Sequence, residues 1–186
     1  MAVHLEILAR DEASHARVGR VHTPHGAFDT PAFMPVGTRG SIKGLTPAQI
    51  RGTGSQCILN NAYHLMLRPG DELVARAGGV HEFMRWDGPI LTDSGGYQAY
   101  SMADINAADE DGVRFTSIVD GSRVHLSPER AIEVQNNLGA DIIMAFDDCP
   151  PSVDPASMNE SRRRILAQRK GPFARGYDHR ARLLEA

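Results

Sequence analysis

Three short apolar runs in this chain each follow a helix-like stretch and each end abruptly on polar residues. The form is plainest in "LSPERAIEVQNNLGADIIMAFDDC". Ser127 has the chemistry of a helix N-cap, Pro128 suits the first helical position, Ala131, Val134 and Leu138 recur on one face, and Gly139 stops the helix. "DIIMAF" then has the continuous apolar character of a strand covered on both faces, and it runs into Asp147 and Asp148. Upstream, "LTPAQIRGTG" offers Thr46 as N-cap, Pro47 behind it and Gly52 or Gly54 as stop, and "CILNNAYHLML" reads as the strand that follows. "DELVARAGG", closed by Gly78, predicts a second short helix, and "PILTD" a strand whose last residue is Asp93. Such repeated units predict an α/β fold with a parallel sheet, either open and doubly wound or a (β/α) barrel; the spacing fits both. Before them, from Val3 to about Thr38, short stretches split by Gly, Pro and His predict strands joined by turns.

Both parallel folds collect their chemistry at the carboxyl ends of strands, and here those ends carry "NN", "DSGG" and "DDC". A carboxylate at the lip of an apolar strand is partly desolvated, which raises the pKa of Asp93 toward a general base's range. Gly95 and Gly96 allow a tight turn with N–H groups facing a ligand, and Tyr97 offers a flat face for stacking. The competing reading makes Asp93 the cap of a turn. A trypsin-like "GDSGGP" loop does not fit, because that fold is all-β. Asp147 or Asp148 could accept two parallel N–H donors from a heterocycle edge, or cap a turn before Pro150. Asn60, Asn61 and His64 stand at the third strand end.

The remaining candidates are weaker. His22 and His25 in "HTPH" have metal-compatible spacing but lie in a turn-like context without further ligands nearby. No glycine-rich phosphate cradle is present. Residues 161–186 hold eight of the 20 Lys and Arg against two acids, so a basic surface would be local, while the net charge of -3 points to no polyanion. Arg162, Arg163, Arg164, Arg169 and Lys170 would touch phosphate backbone or form a solvated face. Cys57 and Cys149 lack CxxC spacing, and no run is long enough for a membrane span or shaped like a secretory leader, which predicts a cytoplasmic protein.

Taken together, "PAFMPVGT", "NNAYHLMLRPG", "FMRWDGPILTDSGGYQ", "EDGVRFTS" and "DGSRVHLSPERAIEVQNNLGADIIMAFDDC" resemble the first half of the tRNA-guanine transglycosylases, from about Arg17 to Pro151. The resemblance implies a (β/α)8 TIM barrel, about half of it present here, preceded by a small N-terminal antiparallel sheet. It implies exchange of guanine at the anticodon wobble position of tRNA for a 7-deazaguanine base in queuosine biosynthesis. On that likeness Asp93 acts in proton transfer, Tyr97 stacks on the base, and Asp147 reads the guanine edge. Ser94, Gly95, Gly96 and Asn61 line the same pocket, and Cys149 is similar to bacterial members. A purine places N1–H beside its 2-amino group, so one buried carboxylate binds both.

A complete barrel needs roughly 250 residues. The resemblance places a second, nucleophilic Asp, a Cys-x-Cys-x-x-Cys plus His zinc site and most of the tRNA surface in the second half, and none of these occurs here. Zinc is thus implied for complete members, with no ligands for it in this chain. The composition changes after Pro151, which suggests a frameshift near Asn159 or a truncation, with residues 1–160 forming the half-barrel and 161–186 a basic tail. A transglycosylase inactive by itself, a purine- or partner-binding module and a non-functional fragment are the three classes left; the likeness also implies a homodimer.

Overall fold

Alternating apolar positions in the first thirty residues give a three-stranded antiparallel meander of β1 (His4–Arg10), β2 (Arg17–Thr23) and β3 (Gly26–Thr30), in that order. The fold is described by a computed structural model covering residues 3–102, 105–109, 111–147 and 155–168. One face of the meander buries Val3, Val21 and Phe28 against Cys57, with Leu5, Met34 and Ile142 around them. Cys57 and Ile142 stand at the amino ends of parallel strands, so the meander covers that end of the sheet, as expected from the strand-like opening segment.

The parallel sheet follows. Thr46 and Gln49 form a reciprocal cap for α1 (Pro47–Gly52), and the chain then enters β4 (Ile58–Asn60). Here the structure corrects the sequence reading: "CILNNAYHLML" is a strand for three residues only and then becomes α2 (Ala62–Leu67). Short apolar runs carry little information on period, and Asn61, the N-cap residue of α2, makes no side-chain cap. The next helix is divided at the Gly78–Gly79 pair into α3 (Asp71–Arg76) and α4 (Gly79–Met84). β5 (Ile90–Thr92) pairs with β4 in parallel, Ile58 facing Ile90 and Asn60 facing Thr92. On the other side of β4, Val36 bridges Leu59, also in parallel.

After β5 come α5 (Gly96–Met102) and an unforeseen antiparallel sheet of β6 (Ile105–Asp109), β7 (Gly112–Thr116) and β8 (Arg123–Leu126). α6 (Pro128–Leu138) has the caps expected of it: Ser127 accepts the Arg130 N–H, and Gly139 closes the helix in the left-handed region. β9 (Ile142–Ile143) then joins the parallel sheet beside β5, giving the order β4-β5-β9. It is shorter than "DIIMAF", because the backbone of Met144 bonds to a side chain of α6 and not to a strand. α7 (Pro155–Gln168) ends the described chain and runs through residues 160 and 161.

The main core, Ile58, Leu65, Val74, Val80, Trp86, Ile90, Val134 and Leu138 among others, lies between this sheet and its helices. Each such side chain contributes roughly 1.5–3 kcal/mol. A second cluster of Tyr63, Ala99, Val113, Phe115, Leu126, Ala131 and Phe146 packs β7 and β8 against α2, α5 and α6. The architecture is α/β with small antiparallel sheets, and the described strands do not close into a barrel.

Candidate active site

Successive parallel strands place their carboxyl ends side by side, and sequence candidates from all three strand ends meet there. Asp93 leaves β5 and accepts hydrogen bonds from three donors. The Asn61 amide donates to Oδ2, the Ala62 N–H to Oδ1 at 2.8 Å, and Gln98 Nε2 to Oδ2 at 3.0 Å. Burial pushes the Asp93 carboxyl up and the nearby charge of Asp147 adds to this, while the three donors offset part of the rise; the net shift is upward. Asp93 is therefore neither a simple turn cap nor an ordinary surface acid. His64, on α2, is held below its usual range by burial and by Arg39, against the opposing pull of Asp93.

Ser94 joins the second acid to the first. Its hydroxyl donates to Asp147 Oδ1, and its oxygen accepts the N–H of Asp147 at 3.2 Å and of Gly96 at 3.3 Å. The Gly96 N–H thus turns inward to Ser94, contrary to the expectation that it faces a ligand. Gly95 stands at φ +80°, where a side chain is strained, and a Cβ on Gly96 would collide with the backbone carbonyl and carboxylate of Asp147. Tyr97, at the start of α5, is 58% exposed, so its ring is open to a stacking partner. Asn61 is buried at the same lip, whereas Asn60 points its amide away, to Met84 Sδ at 3.1 Å. Asp148 and Cys149 lie outside the described residues.

Two contributors escaped the sequence reading. Gln98 closes the "DSGGYQ" run, where nothing local assigns it a role, and its hydrogen bond to Asp93 reveals one. Gln135 did leave a signal: with Ala131 and Leu138 it forms an i, i+4, i+7 row, a polar residue on the buried stripe of α6. It is 0% exposed and bonds to Thr92 and to Met144.

At the opposite end of the strands lies a second polar cluster. Asp141 Oδ1 meets His25 Nδ1 at 2.7 Å, and Oδ2 meets both His81 Nε2 at 3.1 Å and the Ile90 N–H at 3.0 Å. His25 sits in the β2–β3 turn, so the turn reading holds for it, whereas His22 lies within β2 and goes to Glu6, and the two do not pair. The cluster does not fit a transition ion as it stands. The two imidazoles are stacked, 3.6 Å apart and 19° from parallel, so their in-plane lone pairs run side by side where a shared ion needs them to converge. Nor does Cys57 supply a thiolate, since burial pushes its thiol up to about 12. A zinc site of cysteines is not available from this chain, which has two cysteines in all.

Comparison with known proteins decides the lineage. The family model described as queuine tRNA-ribosyltransferase matches residues 11–167. The chain belongs to the queuine tRNA-ribosyltransferase family. It is similar to the queuine tRNA-ribosyltransferases of Symbiobacterium thermophilum, 58% identical over 151 residues, and Acetivibrio thermocellus, 55% identical over 150. That of Streptococcus suis is 54% identical over 153 residues. These alignments cover 81%, 81% and 82% of this chain but only 38%, 40% and 40% of the relatives. The chain thus spans about 40% of the length of the queuine tRNA-ribosyltransferases it matches. The family match also runs past both Pro151 and Asn159, so the likeness does not stop where the composition changes.

Proposed function

We propose that this chain is the base-binding part of a queuine tRNA-ribosyltransferase which, as a complete polypeptide, exchanges guanine at the tRNA wobble position for a 7-deazaguanine base. The observation that carries the reading is the pairing of Asp93 and Asp147 on neighbouring strand ends through Ser94, beside the open ring of Tyr97. Asp147 reads the N1–H and 2-amino edge of the purine, Tyr97 stacks on its face, and Asp93, with its raised pKa, moves a proton to or from the exchanging base. Ser94, Gly95, Gly96 and Asn61 shape the pocket, and the likeness to bacterial members adds Cys149 to the base-binding residues. Removing a base from its stack to reach these groups is what chemistry at the glycosidic carbon requires.

In this reading β4, β5 and β9 are early strands of a (β/α)8 barrel, residues 1–160 belong to its first half, and residues 161–186 form a basic tail. The complete enzyme works on tRNA in the cytoplasm as a homodimer, and its zinc belongs to the portion this chain lacks. The isolated chain binds the base without turning it over. Among the described residues no helix is long and apolar enough to cross a membrane.

Calorimetry with guanine and with 7-aminomethyl-7-deazaguanine tests this. Saturable binding is expected, weakened about 10- to 100-fold in Asp147→Asn, the worth of one or two charge-assisted hydrogen bonds. Tyr97→Ala should cost a further 1–3 kcal/mol, on the order known for base stacking. Absence of binding, or indifference to Asp147→Asn, would sink the proposal. Incorporation of labelled guanine into tRNA by the chain alone would refute its incompleteness.

A further inference from the structure

β5 and β9 pair through only Leu91 with Ile142 and Thr92 with Ile143. The ladder ends before either acid: Asp93 follows it directly, but Met144, Ala145 and Phe146 intervene before Asp147. At this point a side chain replaces a strand. Gln135 Oε1 accepts the Met144 N–H at 2.7 Å, and its Nε2 donates to the Met144 carbonyl at 2.9 Å. The same Oε1 accepts the Thr92 hydroxyl at 3.2 Å, and Nε2 also donates to the Ala131 carbonyl at 3.1 Å, back on α6. A primary amide has two acceptor lone pairs and two N–H hydrogens, and all four are used. Gln135 and Thr92 are both fully buried, so the Thr92 hydroxyl has no water to turn to if the amide is lost; Met144 is 41% exposed.

We infer that Gln135 is a positioning residue whose amide sets the spacing between the strand ends bearing Asp93 and Asp147, and so the fit of that pair to a purine, a role that rests on the base-exchange reading above. It touches neither carboxylate; it acts through Thr92, the residue before Asp93, and through Met144, the start of the segment that delivers Asp147. Ser94 then completes the link from the other side.

The test is a carboxyl NMR titration of Asp93 in the full chain, with and without Asp147→Asn, repeated in Gln135→Met. In the parent, Asp147→Asn should lower the Asp93 midpoint, since it removes a neighbouring negative charge. In Gln135→Met, which keeps length but loses every hydrogen bond, that response should vanish and guanine affinity should fall about tenfold or more. Circular dichroism confirms that the variant is folded. A folded Gln135→Met with the response and the affinity both intact overturns the inference, since a purely structural glutamine would change only the melting temperature. If Gln135→Met does not fold, Gln135→Glu decides. Its protonated acid retains a donor and an acceptor for Met144, so the response should be present in the acid form and lost on ionisation; an identical response in both forms overturns the inference. Should the parent bind no base, the base-exchange reading fails, while the titration still decides whether Gln135 sets the spacing.

Discussion

An alanine at position 96 would drive a methyl group into the Asp147 carbonyl and carboxylate. Gly96→Ala should therefore cost about 1–3 kcal/mol in urea unfolding, as overpacking does, and abolish guanine binding in calorimetry; a variant that binds normally would show that Asp147 can retreat without loss. Asp141 makes a different demand. Burial pushes its carboxyl up, but hydrogen bonds from His81, His25 and the Ile90 N–H outweigh this and hold it below the ordinary aspartate range. With the lower value in the folded state, the stabilisation is complete above about pH 4 and is lost as the pH falls below it. Asp141→Asn should cost roughly 2–3 kcal/mol at neutral pH, and the gap from the parent should close in urea titrations repeated toward acid. At this scale the sequence exposes charged and aromatic candidates such as Asp93, Tyr97 and Asp147, because an acid or ring at the end of an apolar run is conspicuous. Gln98 is silent for the opposite reason: a neutral amide in a helix becomes significant only through the atom it touches.

Helix α6 was legible in full because its signals are local. Ser127, Pro128, the apolar stripe and Gly139 all act within one helix, and each does in the structure what its chemistry predicts. Ser127→Ala, which removes the acceptor for the Arg130 N–H, should cost about 1 kcal/mol in chemical denaturation. A change below a few tenths would mean water caps the helix as well as the hydroxyl does. α2 was illegible because its N-cap residue, Asn61, gives its amide to Asp93, so the start of the helix carries no capping pair. The β6–β8 sheet went unseen since its strands are four or five residues long and interrupted by "EDG" and "DGS" turns. Its apolar face is real nonetheless: Val113, Phe115 and Leu126 are buried against Tyr63 and Phe146. This sheet backs the candidate site, and three-dimensional contact alone shows it.

Over the molecule as a whole, the described residues include a parallel sheet whose β4 edge carries a single bridge. Among the described residues, only Val36 bridges β4 on its side away from β5, and it stays 50% exposed, with Phe33 three residues before it at 83%. Phe33 and Leu45 line a cleft of about 460 Å³ along this edge. An apolar edge of this kind invites pairing with another chain. Light scattering during size-exclusion chromatography should accordingly show concentration-dependent self-association, reduced by Val36→Lys; a monomer at all concentrations would show the edge to be inert. The alternation of helices and strands announced a parallel sheet, but whether it is open or closed depends on strands far apart in the chain, which no local pattern encodes.

The contact between β5 and Asp141 spans 51 residues, and most of that interval is occupied by the β6–β8 meander and α6, whose strand pairing and helix caps are local in sequence. Closing so long a loop is costly until its interior is already compact. The meander and helix should therefore organise early, with β9 docking late, so that Asp93 and Asp147 approach each other only as the last of the core is sealed. On that order of assembly, the mutual repulsion of the two acids would arise late and weigh mainly on the finished protein.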